Sequence, residues 1–135
     1  MPYKILTFLL FVILNSCVTT PVEKKDTSTT PKSYFLNKGF TLVYNEEYYK
    51  EKLVKGKIAD RSLTLFQKNL KKNTKVKITN LTNSKYIIAN VGKKVEYPYF
   101  YNSVISKRIS EELELDILEP YIEIKEIIQG SSFIA

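Results

Sequence analysis

The chain is 135 residues long, and its 21 Lys and Arg against 14 Asp and Glu leave a formal charge of +7. At about 150 residues per domain, that is one domain with appendages. There is no His and no Trp, and Cys17 is the only Cys, which excludes an internal disulfide, a Cys/His zinc set and any His-dependent triad.

The first stretch carries an address. Lys4 precedes the apolar run Ile5 to Leu14, and Asn15-Ser16-Cys17 follows. The run is too short for a permanent span, which needs about 20 helical residues, so residues 1–16 are predicted to be a secretory signal peptide. Leu14-Asn15-Ser16-Cys17 resembles a bacterial lipobox. The resemblance implies a diacylglyceryl thioether on Cys17 and an acylated new N-terminus, two or three chains at about 0.8 kcal/mol per buried methylene. Residues 17–32 then form a lipidated Cys and a flexible tether. Val18 to Lys32 is rich in Thr, Pro and charge with no apolar period, and its typical reach is roughly 20 Å. The residue after Cys17 is Val and not Asp, which resembles the pattern of lipoproteins sent to the outer membrane.

Residues 33–128 carry the core, and a hydrophobic content of 44% with 13% aromatics suits a folded domain. Phe40 to Tyr44 reads as a short strand. Tyr48 to Leu53 offers one or two helical turns. Ser62 to Phe66 alternates, and so does Thr74 to Asn80, with Val76 and Ile78 inward. Thr82-Asn83-Ser84 is a turn cluster, and Tyr86 to Val91 follows at hairpin distance. Between Asn102 and Leu115, Ile105, Ile109 and Leu113 recur at helical spacing, with Ser106 as an N-cap. Pro120 stops the helix, and Tyr121 to Ile128 reads as a last strand with Ile122, Ile124 and Ile128 on one face. Residues 129–135 are a tail. Five or six short strands, one helix and no βαβ rhythm predict a mainly β fold, best satisfied by a small closed barrel without exposed edges.

The order of these pieces resembles the rare lipoprotein A family. Gly39 to Tyr44 is similar to its opening strand, and Leu65 to Leu81 to its central block ending in Val/Ile-Thr-Asn-Leu. Asn83 to Val91 is similar to its next hairpin strand, Ser103 to Leu115 to its helix, and Tyr121 to Ile124 to its closing strand. The resemblance implies a six-stranded double-psi β-barrel with one short helix. It also implies contact with peptidoglycan, whose glycan strands active members cut without water by proton transfer at the glycosidic bond.

At the positions implied to carry that chemistry, this chain departs from the pattern. Lys93 stands where the family has an Asp after the hairpin strand, Gln67 where it has a His, and Val104 where it has an Asp before the helix. A Gln amide does not titrate, and an ordinary lysine keeps its proton at neutral pH unless deeply buried. Glu96 and Asp60 are the nearest spare carboxylates, and Glu96 lies three residues beyond Lys93. The expectation is a groove formed by Gln67, Lys93, Tyr99 and Arg108 that binds glycan without cleaving it. The alternatives are a lytic transglycosylase with Glu96 as a rearranged acid/base, and an adaptor for other envelope proteins.

Two further patterns stay open. Lys68, Lys71, Lys72, Lys75 and Lys77 surround the central strand, with Lys93 and Lys94 in a later loop. They form either a basic groove for an anionic partner or a solvated face. An AT-rich genome would also favour the abundant Lys, Asn, Ile and Tyr. Tyr97, Tyr99, Phe100 and Tyr101 around Pro98 form either a stacking platform for sugar rings or a lid on the core. The export signal argues against nucleic acid as a partner. No Gly-rich phosphate loop or metal set is present, so no cofactor is expected.

Overall fold

A computed structural model describes residues 34–128. The expected signal peptide, Cys17, the tether and the tail lie outside the described residues. Lys32–Ala135 forms a compact unit by itself.

Eight elements follow in chain order: β1 (Leu36–Val43), α1 (Glu46–Lys50), β2 (Thr64–Phe66), β3 (Lys75–Asn80), β4 (Tyr86–Val91), β5 (Ser103–Ile105), α2 (Lys107–Glu112) and β6 (Tyr121–Glu126). The strands close into a barrel in the order β1-β5-β2-β4-β3-β6, with β6 back against β1. β1 with β5 and β2 with β4 are parallel, and the other four pairings are antiparallel. Advancing every strand number by three maps this order, and its parallel and antiparallel pairs, onto itself. The chain therefore folds as two interlocked three-strand halves related by a pseudo-twofold, which is the double-psi arrangement.

The strictly alternating segments behave as their pattern demands. Val76 and Ile78 of β3, and Ile122 and Ile124 of β6, are fully buried. Burial of each such side chain is worth about 1.5–3 kcal/mol. The β3–β4 turn is set by local side-chain bonds. Asn80 Oδ1 accepts from Thr82 N, Asn83 Oδ1 accepts from Lys85 N, and Ser84 takes a positive φ of 63°. Two core clusters result. The larger fills the barrel around Leu65, Val76, Ile78, Ile105 and Ile109. The smaller, around Tyr44, Val54, Ile58, Phe66 and Tyr97, joins the two long loops before β2 and β5 to the barrel wall. Gly56 lets those loops meet, because a Cβ there would sit 2.5 Å from Val95 Cγ1.

The structure corrects several expected boundaries. Among the described residues there are two short helices, where one was expected. Asn45 caps α1 by accepting from Glu47 N, so the helix begins two residues before Tyr48, and the positive φ of Lys52 ends it. The late helix is shorter than its spacing suggests. Ser103–Ile105 is strand, and the helix starts only after Ser106, which is extended and accepts from Ile109 N. Ile105, Ile109 and Leu113 are all fully buried, but one lies in β5, one in α2 and one at the C-cap. β1 begins at Leu36, four residues before the β-rich run, because pairing with β6 supplies a ladder where propensity is weak. Ile128 lies beyond the end of β6 and is half-buried.

Candidate functional site

Gln67 follows β2 directly and is 4% exposed. Its Oε1 accepts from the N–H groups of Asn69 (2.5 Å) and Leu70 (3.1 Å), and its Nε2 donates to the Asn102 carbonyl (3.4 Å). The side chain thus caps the turn that leads into β3, and none of these partners is a carboxylate. Beside it, Tyr97 donates its hydroxyl to the Asn102 carbonyl and accepts from Lys68 N, both at 3.2 Å. Burial pushes the Tyr97 hydroxyl above its usual pKa. Lys68 Nζ donates to the Tyr97 carbonyl at 2.7 Å and lies 4.3 Å and 4.5 Å from the ring centroids of Tyr97 and Tyr99. Tyr99 itself is 97% exposed.

The four expected groove residues are therefore only partly brought together. Lys68 links the Gln67 turn to Tyr99. Lys93 is exposed in the loop after β4. Arg108 lies on α2, where its backbone N–H donates to the Asp60 carbonyl (2.9 Å), its Nη1 to the Arg61 carbonyl (3.2 Å), and its Nε pairs with Glu112 at 3.7 Å. Glu96 is exposed and bound to Lys55 Nζ at 2.5 Å. Hydrogen bonding and charge from Lys55 hold its carboxyl below the usual glutamate range, which suits an ionised partner rather than a proton donor. Val104 is buried in the smaller core cluster.

An open concavity lies elsewhere. A cleft of about 870 Å³ runs along the C-terminal half of β1, the start of α2 and the loop before β6. Phe40, Tyr44, Tyr48, Phe100 and Tyr101 supply its rings. Phe100 stacks on Phe40 with centroids 5.6 Å apart and planes 12° from parallel, while staying 70% exposed. Tyr101 and Tyr121 brace that pair edge-on. Exposed Ile117 and Leu118 add an apolar lip. The polar lining is acidic: Glu46, Asp60, Glu111 and Glu119 against Lys107. Asp60 is placed by two bonds that pin its segment to α2. They are the Arg108 bond named above and the donation of Ser106 Oγ to the Ser62 carbonyl at 2.6 Å. Glu46 pairs with Lys57 at 3.7 Å, whereas Asp60 has no ion pair among the described residues. The Tyr44 hydroxyl is buried near the Ile58 backbone without a bond of ordinary geometry. Burial first, then the charges of Glu46, Tyr49 and Asp60, raise its pKa.

None of Gln67, Lys93, Glu96, Tyr99 or Arg108 lines this cleft. Its Phe100 and Tyr101 belong to the aromatic loop that the sequence already singles out. Asp60 was visible there too, as a spare carboxylate. The partnership of Phe100 with Phe40, sixty residues apart, has no sequence signal. Among the described residues no group of three or more His, Cys, Asp or Glu could hold a metal ion, and no helix is long and apolar enough to cross a membrane.

No family model and no curated protein matches the chain. Among solved structures it is similar to the crystal structure of the rationally designed mkDPBB_sym2 protein. The TM-score is 0.47 and the identity 12%, over 69% of this chain and 100% of that chain. The strand order and its internal twofold make the described domain a double-psi β-barrel.

Proposed function

We propose that this chain is a lipid-anchored protein of the bacterial cell envelope whose barrel holds peptidoglycan glycan strands without cleaving them. The observation that carries the reading is the Phe40–Phe100 stack on the lip of the open cleft. It offers a flat, exposed, braced aromatic face to the CH-rich face of a sugar. Asn45, Asp60, Ser110 and Glu119 stand nearby for its hydroxyl and amide groups. The lipobox-like Leu14 to Cys17 and the resemblance to the rare lipoprotein A family support an envelope setting, facing the periplasm from the outer membrane. Binding without cleavage is supported by two side chains: Gln67 is committed to capping its turn, and Glu96 is held ionised by Lys55.

The test mixes residues 32–135, a compact unit that contains the closed barrel and both core clusters, with purified sacculi. Expected is pelleting that Phe100→Ala weakens about tenfold, with no release of anhydro-muropeptides. Release abolished by Glu96→Gln or Asp60→Asn makes the protein a lytic transglycosylase instead. Neither pelleting nor release leaves the adaptor for another envelope protein.

A further inference from the structure

The barrel has two unlike ends. Strand register brings together the start of β1, the end of β6, the start of β3 and the end of β4. Leu36 faces Lys125, Val76 faces Glu126 and Lys75 faces Asn90. The amides of Glu126 and Ile127 donate to the carbonyls of Phe35 and Lys75. The loops before β3 and after β4 belong to this end too, since Asn73 N–H donates to the Val91 carbonyl at 2.8 Å. Lys71, Lys72, Lys75, Lys93, Lys94 and Lys125 are all exposed here. None takes part in an ion pair among the described residues, and neither do Lys50 and Lys52 at the end of α1, whereas Lys38, Lys55, Lys57, Lys85 and Lys107 all do. Half-buried Glu126 lies beside them, and Glu96, two residues beyond Lys94, is paired with Lys55. The acidic, aromatic cleft lies at the opposite end, beyond Phe40 on β1 and before Tyr121 on β6.

We infer that this lysine end docks on the anionic phospholipid headgroups of the membrane that carries the chain, which turns the cleft away from that membrane. The inference rests on the lipid-anchor reading above. Two observations choose this partner over another anion. The first is charge complementarity: six lysines without ion pairs gather at this end, while the cleft at the other is mostly acidic. The second is where the chain enters: Tyr34 and Phe35 join the barrel at the lysine end. Cys17 stands seventeen residues before Tyr34, at most about 60 Å of chain. A chain that enters at that end leaves the lysines free to reach the bilayer. The surface potential of an anionic leaflet fades within about 8 Å at physiological salt, so only an end held close can feel it. Each lysine that reaches it strengthens binding about fivefold.

Residues 32–135 are titrated with phosphatidylcholine vesicles, with and without about a third phosphatidylglycerol. Binding is expected only with phosphatidylglycerol, and rising salt abolishes it. Lys93→Gln and Lys94→Gln are expected to weaken it about fivefold each, while Lys85→Gln, in the β3–β4 turn at the far end, leaves it unchanged. Thermal denaturation checks that these exposed loop variants stay folded. Orientation is read by fluorescence, because the chain has no Trp of its own. A Leu36→Trp probe is quenched by brominated lipid and a Leu118→Trp probe is not. No vesicle binding at low salt, equal loss with Lys85→Gln, quenching at Leu118, or lysine-dependent capture by sacculi in place of vesicles each overturns the inference. The mass of Cys17 in the full chain reads the anchor separately. A lipidated Cys17 with a fragment that ignores phosphatidylglycerol sinks the docking alone, whereas an unmodified Cys17 with a fragment that binds it sinks the anchor alone.

Discussion

The turn around Gln67 and the cleft beside Phe100 are both aromatic and both border β1, β2 or β5, yet they are opposites in what they leave unused. Around Gln67 the polar atoms are mutually engaged: the amide caps Asn69 and Leu70, the Tyr97 hydroxyl bridges Lys68 and Asn102, and Lys68 sits on the Tyr97 carbonyl. At the cleft the rings are stacked on each other but open to solvent, and Asp60 has no ion pair among the described residues. A site that has satisfied itself stabilises the fold, and a site that has not is available to a ligand. The pseudo-twofold sharpens the point. Gln67 is the first residue after β2 and Ser106 the first after β5, and each accepts from the N–H three residues on. The position that the family resemblance marks for chemistry is, in this chain, one of a pair of caps.

The largest expected effect breaks the satisfied side. Tyr97→Ala removes a buried ring from the smaller core cluster together with two hydrogen bonds. Urea denaturation should show a loss of about 3–5 kcal/mol. A loss below about 1 kcal/mol would mean that this face is not structural. Phe100→Ala is the complementary change. It should cost less than about 1 kcal/mol of stability, because the ring is mostly exposed, while sacculus pelleting falls about tenfold. If stability drops and pelleting does not, the roles of the two regions are exchanged.

The two caps come next. Gln67→Ala leaves the Asn69 and Leu70 amides without their acceptor and should cost about 1–2 kcal/mol. Ser106→Ala should cost about 1 kcal/mol as an N-cap loss, with some addition because its hydroxyl also holds Ser62. Gln67→Glu, which introduces a titratable group, should not create glycan cleavage if the position is a cap; appearance of anhydro-muropeptides would say otherwise.

The smallest effect is in pH. The Glu96 carboxyl, lowered by Lys55, should titrate below the ordinary glutamate value of about 4.3, and Lys55→Met should return it there by NMR. Because its folded pKa is the lower one, the pair's contribution is present above the unfolded pKa and disappears as pH falls through the folded one. Both groups are exposed, so this contribution is small. A Glu96 titrating well above the glutamate range would instead make it a candidate proton donor.

Much of the barrel was legible because period-two alternation reports burial directly. Val76 and Ile78, and Ile122 and Ile124, face inward as read. The Thr82 to Ser84 turn declared itself by composition, although nothing in the sequence shows that Asn80 and Asn83 also hold the Leu113 carbonyl at the end of α2. The helical spacing of Ile105, Ile109 and Leu113 misled at one end, since a strand, a cap and a short helix can place residues on the same core as one long helix. The expected groove and the cleft are different places for a related reason. Gln67 and Lys93 were placed by resemblance, and Tyr99 and Arg108 by their residue type; none of the four lines the cleft, and Tyr99 projects into solvent.

Taken alone, the amino-acid order determined the chemistry on offer: no His and a single Cys, short alternating segments that must bury one face, a net positive chain, and a non-titrating amide at position 67. These are local properties, fixed by side-chain type and by the two-residue repeat of a strand. Closure of the barrel, the stack of Phe100 on Phe40, the gathering of six lysines at one end and the exposure of Asp60 on the other were decided only by the fold. Each joins residues tens of positions apart through strand pairing, and pairing partners are chosen by the whole set of buried faces at once.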